Sequence, residues 1–372
     1  MSLGLYVHLP FCRTHCSYCA FAISTDVSLQ EDYTGALVRE IDQASGLGPR
    51  ASVESIYFGG GTPSRMSIEN FERVANALRG PRPEARGLEF RGLEFSMESN
   101  PEDITAEAIE QWRSLGVNRL SIGVQSFHDQ ELIPLGRVHG RDRAHEAVSL
   151  AVASGVRTSL DLIAGLPNQT EESFAQTLDE AIALGAGHIS LYMLDLEEKS
   201  PLAVQVERGR TVIPDDEVVA AMYTGAIERL AHAGFRQYEI SNFAREGEEC
   251  RHNLRYWTRG EYHGFGLGAH SLIGGRRFAN TRDIRQYIEK APDAVDFVEQ
   301  LGEAEVQRET IFLGLRQTSG IDYTELEQLR GQEGTEWINR GLRDGWLEQR
   351  GARVAFTPSG FLLSNEFISQ LF

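Results

Sequence analysis

The chain has 372 residues, 41% of them hydrophobic and 24% charged, an ordinary globular composition with length for a barrel-sized domain plus a smaller one. Its formal net charge of −18 creates a field that repels phosphate backbones and anionic bilayers, which argues against nucleic acid as a partner. No run approaches the roughly 18 apolar residues of a membrane span, and the start, MSLGLYVHLPF, lacks the basic and apolar segments of a secretion signal. A cytoplasmic protein is expected.

The spacing predicts strands over 4–9, 55–58, 93–98, 119–124, 157–163 and 188–193, all short apolar runs. Between them lie LQEDYTGALVREIDQA, SIENFERVANALRG, TAEAIEQWRSLG, RDRAHEAVSLAVASG and EESFAQTLDEAIALG, with apolar residues at helical spacing. Six βα units in succession imply an α/β fold, a parallel sheet curved into a full or partial TIM-like barrel with its chemistry on the loops after the strands. A tandem RGLEFRGLEF spans 86–95; the second copy reads as strand and the first as loop, and a slip between copies would turn the strand inside out.

From about 290 the pattern changes. KAPDAVDFVEQLGEAE reads as a linker, followed by helices near 304–316, 322–330 and 334–344, the hairpin WLEQRGARVAFT and a last helix from 358. The expected division is 1–290, barrel plus extension, and 291–372, a small winged-helix-like α+β domain. Residues 301–372 carry eleven acidic and seven basic residues, so a packing or lid domain is favoured over a DNA-binding one.

Three of the four cysteines fall within eight positions, Cys12-x3-Cys16-x2-Cys19, on the loop leaving the first strand. They are too few and too clustered for a secreted disulfide framework. A closed zinc site would need a fourth ligand, for which His15 or His8 is available. A [4Fe–4S] cluster needs only these three if its fourth iron is left open to a substrate, and the spacing and loop position favour that solution. YFGGGTP, 57–63, follows the second strand, and its glycines allow close backbone approach to a small polar ligand or simply a tight turn. Glu98, Asn100, Gln125, Arg137 and Asp161 add polar groups at later strand ends, where burial demands a partner or a ligand.

The cysteine loop resembles the signature of radical S-adenosylmethionine (SAM) proteins. Together with LYVHLPFCRTHCSYCAF, YFGGGTP, ESNPEDIT, GVNRLSIGVQSF, LGRVHG, DLIAGLP, QYEISNFA and HNLRYW, it is similar to the coproporphyrinogen dehydrogenase-like branch, over about 3–285, with the tail resembling that branch's C-terminal domain. The resemblance implies that Cys12, Cys16 and Cys19 ligate the cluster and that SAM chelates the open iron. It further implies that Tyr6 and Gly59, Gly60, Gly61 and Thr62 lie along the methionine part, that Arg137 pairs with the carboxylate, and that Glu98, Gln125 and Asp161 meet other polar groups of SAM.

That branch contains dehydrogenases, which oxidatively decarboxylate coproporphyrinogen III, and heme chaperones. The dehydrogenases carry a further cysteine two positions after the third and a longer N-terminal segment; here position 21 is Phe and eleven residues precede Cys12, which resembles the chaperone class. The segment CRHNLRYW contains the His-Asn-x-x-Tyr-Trp pattern that the resemblance associates with heme, making His252, Cys250, Tyr256 and Trp257 heme-binding candidates, while a histidine among aromatics is equally the habit of a core residue. His263 and His270 are further candidates within a glycine-rich run. The expectation is a heme chaperone that binds heme, a [4Fe–4S] cluster and SAM and delivers heme to apo-heme respiratory proteins, membrane-associated ones included. The alternative is an oxygen-independent coproporphyrinogen III dehydrogenase; SAM cleavage and a dimeric state are compatible with either.

Overall fold

The computed structural model describes residues 2–44, 52–79, 92–198 and 200–371. Six strands, β1 (Ser2–Leu9), β2 (Ser52–Gly60), β3 (Glu94–Ser99), β4 (Arg119–Gln125), β5 (Arg157–Ala164) and β6 (His188–Met193), lie side by side in that order, all parallel. Each stands where the apolar runs place it, with amphipathic helices such as Gln30–Gln43 and Glu171–Ala183 between. Thr170 caps the latter helix in a reciprocal pair with Ser173, a local signal that fixes its start.

The sheet continues on both sides and stays open, as a partial barrel. Beyond β6 comes β8 (Asn242–Ala244), antiparallel, then β7 (Arg236–Gln237). Beyond β1 come β9 (Tyr262–Phe265), parallel, then β10 (His270–Ile273), β11 (Arg276–Asn280) and β12 (Val295–Gln300), antiparallel. The last is a correction: 295–300, read as linker, pairs along β11 as an edge strand. Its side chains are exposed on both faces, so the buried alternation that betrays a strand is missing. The glycine-rich run is a tight β9–β10 connection, in which a Cβ on Gly264 would meet the His270 carbonyl.

The central strands divide their faces unusually. Ile56, Phe58, Phe95, Met97, Leu120, Ile122, Leu160 and Leu162 belong to the apolar core that includes the surrounding helices. The alternate positions, Ser55, Glu94, Ser96, Arg119, Ser121, Ser159, His188 and Ser190, are polar and buried. Such a face is costly unless paired, and most of it is: Ser159 Oγ meets His188 Nδ1 at 2.6 Å, and Ser55 Oγ meets His252 Nδ1 at 2.9 Å, while Ser96 Oγ and Arg119 Nη2 are buried without a partner. The helix Arg251–Trp257 closes the end of this polar interior at the starts of β2 and β3.

The second RGLEF copy enters β3 with Glu94 inward and Phe95 in the outer core; the first copy, 86–90, lies outside the described residues. Toward the C-terminus, the helix Glu303–Leu315 precedes Tyr323–Asp344, two helices joined at Gly331, whose φ of 54° bends the chain. Strands β13 (Ile321–Asp322), β14 (Leu347–Arg350) and β15 (Arg353–Phe356) form a three-stranded sheet. The final helix of the sequence reading is two, Pro358–Leu362 and Ser364–Ser369. Trp337, Trp346, Phe356 and Phe361 pack together there.

Candidate functional site

The loop after β1 brings Cys12, Cys16 and Cys19, each half-buried, to one cavity of about 460 Å3 at the ends of the parallel strands. Backbone bonds shape the loop: Cys12 N–H donates to the Ser24 carbonyl, Ser17 N–H to Leu135, and Leu202 N–H to Ser17. A small apolar cluster of Leu135, Ile163, Leu166 and Leu202, with Tyr18 against it, anchors the loop to the segment after β6. Thr62 Oγ1 donates to Cys12 Sγ at 3.4 Å, and Arg137 Nη1 lies 3.7 Å from Cys16 Sγ. Donors on the sulfurs favour thiolates. Burial chiefly, with the neighbouring cysteines, pushes the Cys12 thiol up to about 11 and raises Cys19, so a bound metal must displace those protons.

The glycines of 59–61 are demanded first by packing. A Cβ on Gly60, whose φ is 110°, would strike the His8 ring, and one on Gly61 would strike the Pro10 backbone. The turn they permit leads to Gly60 N–H donating to Glu98 Oε2 at 3.1 Å, while Tyr57 Oη donates to Glu98 Oε1 at 2.9 Å. Glu98 and Asp161 both face the cavity, open to it yet enclosed by protein. Burial, then Asp161, raises Glu98 to about 7; burial raises Asp161 to about 6, against hydrogen bonds from Ser190 and Ser121. Both carboxyls already accept hydrogen bonds, yet burial outweighs these donors, so a cation in the cavity would favour their ionised forms.

Arg137 extends into the same space, its Nη2 donating to Asn100 Oδ1 and to the Gly123 carbonyl, both at 2.7 Å, while Nε is buried without a partner. Gln125 sits after a bulge that skips Val124 in the pairing of β4 with β5, and its φ of 66° is left-handed backbone. A non-glycine residue bears that strain where its surroundings impose it, and here the distortion puts Gln125 in the cavity wall.

Thus the cavity gathers the three cysteines, Gly60, Gly61, Thr62, Glu98, Gln125, Arg137 and Asp161. Tyr6 and Gly59 stand outside its wall: Tyr6 stacks on Tyr57 and bonds His8 Nδ1, and Gly59 is buried against Glu98. His8 gives its other nitrogen to the Ala22 carbonyl at 2.8 Å, and His15 meets the Cys19 carbonyl at 3.0 Å. The heme candidates lie elsewhere again. His252 is fully buried with both ring nitrogens bonded, to Ser55 and Tyr256; Cys250 is buried beside Glu94; Trp257 gives its carbonyl to Gln317. His263 stacks on Phe265, and His270 lies beside Phe297 of the edge strand. The sequence reading missed Tyr18, Tyr192 and Met193 in the wall. The strand-end rule that found Glu98 and Asp161 would have found Tyr192 and Met193 at the end of β6.

Residues 6–181 match the Radical SAM superfamily and residues 301–363 the HemN C-terminal domain. The chain is 35% identical to the heme chaperone HemW of Mycobacterium tuberculosis, over 99% of this chain and 94% of that one. With the HemW of Bacillus subtilis it shares 34% identity over 97% of each. The chain belongs to the HemW family of the radical SAM superfamily. Its fold is also that of the coproporphyrinogen III oxidase HemN of Escherichia coli, a radical SAM enzyme, with a TM-score of 0.82 over 99% of this chain and 89% of that one at 24% identity. Membership of the superfamily implies a [4Fe–4S] cluster and SAM as cofactors. The cavity fits them: three thiols with donors on two sulfurs, a buried guanidinium nitrogen without a partner, and two carboxyls facing the same space. Among the described residues no helix is long and apolar enough to cross a membrane.

Proposed function

We propose that this chain is a heme chaperone, holding a [4Fe–4S] cluster on Cys12, Cys16 and Cys19 with SAM beside it, binding heme, and transferring heme to apo-heme proteins such as respiratory enzymes. The observation that carries this reading is Phe21. Where the dehydrogenase pattern expects a further cysteine, a phenyl ring 70% exposed lies at the cavity mouth, and Val138 and Tyr192, 55% and 43% exposed, add to the same lining. An apolar rim suits the face of a macrocycle, and Phe21 offers no thiol. The full-length similarity to heme chaperones supports the same conclusion.

When bound, the cluster and SAM supply one-electron chemistry. This chain's residues hold and orient: Thr62 and Arg137 donate to sulfur, Arg137 is placed for a carboxylate, and Glu98 and Asp161 accept from ammonium or hydroxyl groups. Their enclosure excludes water, which strengthens each of these bonds. Heme delivery requires that heme be held by few exchangeable bonds, with the filled cavity favouring one conformation over another.

The test is anaerobic reconstitution with iron and sulfide, then heme titration alongside an assay for coproporphyrinogen III decarboxylation with SAM and a reductant. Stoichiometric heme binding without decarboxylation supports the chaperone. Decarboxylation that consumes SAM makes the chain a dehydrogenase and removes the argument from Phe21.

A further inference from the structure

The helix Arg251–Trp257 is tied into the polar interior at several points. Glu94, fully buried at the start of β3, accepts from the backbone N–H groups of Arg251 at 3.2 Å and His252 at 3.0 Å, and Cys250 Sγ lies 3.5 Å from the same carboxylate. Arg157 pairs with Glu94 at 3.3 Å. The His252 ring then bridges Ser55 Oγ and Tyr256 Oη and stacks on Tyr57, with centroids 5.2 Å apart and planes 24° apart. Tyr57 carries the contact upward through its hydroxyl to Glu98 in the cavity.

We propose that the Cys250–Trp257 segment supports the wall of the cofactor cavity from behind, and that His252 is a positioning residue that holds the Glu98 carboxylate through the Tyr57 ring. This inference rests on the reading of the cavity as the SAM site. A phenol can hold a carboxylate in place only if the ring itself cannot tilt. Tyr57 belongs to a three-ring cluster: it lies 6.3 Å from Tyr6 and 5.2 Å from His252, and those two lie 6.5 Å from each other, so each ring wedges the other two. An imidazole suits the place of His252 because it is flat enough to stack and has a nitrogen at each side to lock its own rotation. Both nitrogens are used for that lock, which leaves no nitrogen lone pair free for iron. The segment's signature then records two layers of support: Cys250 and the helix N-terminus on Glu94, and His252 with Tyr256 under Tyr57. Glu94 and Glu98 lie four residues apart on one face of β3, so the same strand joins this support to the wall.

The test uses the full chain with its cluster reconstituted and measures SAM affinity by equilibrium dialysis, with iron content checked in every variant. His252→Ala, which removes the stack, and Tyr57→Phe, which removes the hydrogen bond to Glu98, are each expected to weaken SAM binding about tenfold, the usual effect of losing one bond to a charged group. The double variant is expected to lose no more than about the larger single effect, because both act through one carboxylate. His252→Phe keeps a flat ring under Tyr57 and is expected to restore most of the affinity and to leave the absorption spectrum of added heme unchanged. The inference is overturned if His252→Ala binds SAM as wild type does, or if His252→Phe alters the heme spectrum while SAM affinity stays constant. A wild-type chain that carries its cluster but binds no SAM would overturn both this inference and the cavity reading; a wild type that binds SAM but not heme would overturn only the chaperone.

Discussion

Arg137 Nη2 and Asn100 Oδ1 are 2.7 Å apart across the cavity, one from the loop after β4 and the other from the end of β3. This bond and the one to the Gly123 carbonyl aim the guanidinium so that Nη1 approaches Cys16 and Nε is left over. Lysine would keep the charge but not the fork. Arg137→Lys is therefore expected to retain iron and to bind SAM at least tenfold more weakly, with Asn100→Ala showing a smaller loss in the same direction. Equilibrium dialysis on reconstituted protein measures both.

In the cofactor-free protein Glu98 and Asp161 contribute stability that is lost as pH rises, while the buried and neutral His8, His252 and His263 act in the opposite direction. Glu98 and Asp161 have folded values of about 7 and about 6, both set chiefly by burial, above the values near 4 of an unfolded chain. The folded state therefore binds protons more tightly. Stability is greatest below pH 4 as far as these two groups are concerned, falls between about pH 4 and 7, and is level above. Unfolding at pH 5.5 and pH 8 should give a dependence of stability on pH that Glu98→Gln shifts by on the order of 2 kcal/mol, the wild type losing its advantage over the variant at the higher pH. An unchanged slope would show that Glu98 is ionised at both values.

Replacing Cys12, Cys16 or Cys19 singly by Ser is expected to abolish cluster reconstitution without unfolding the chain, because all three are half-buried on a loop outside the core. Cys250→Ser should do the reverse, keeping iron while lowering stability, since Cys250 is buried against Glu94. Iron and sulfide analysis with circular dichroism separates the two results.

Glu94→Ala is expected to destabilise the protein by about 3 kcal/mol or more. It leaves two helix N–H groups without their acceptor and removes the carboxylate that pairs with Arg157, the case in which breaking a buried network is costly. Denaturant unfolding of the cofactor-free chain provides the measurement.

Much of this was legible before the structure. The parallel strands show as short apolar runs because their outer faces pack on helices, and the cysteine spacing and strand-end polar residues locate the cavity. Three things were hidden. The strand at 295–300 has no buried face to create a pattern. The polar inner face looks in sequence like the exposed side of a two-layer sheet, since Ser55, Ser96 and Ser159 do not announce that they are buried. Tyr6 and Tyr57 have the same residue type at equivalent levels of adjacent strands, and only geometry shows that Tyr57 is the one that reaches Glu98. For His252, likewise, a histidine among aromatics reads the same whether it binds a metal or locks a stack.

The central claim is heme delivery, and its most direct measurement is transfer. Heme-loaded, cluster-reconstituted protein should be mixed anaerobically with an apo-heme respiratory protein, and the acceptor's holo spectrum followed, with the Cys12→Ser variant in parallel. The account predicts stoichiometric transfer from the wild type and impaired transfer from the variant, with no decarboxylation of coproporphyrinogen III. Heme retained by the wild type, or coproporphyrinogen III decarboxylated at the expense of SAM, would contradict it.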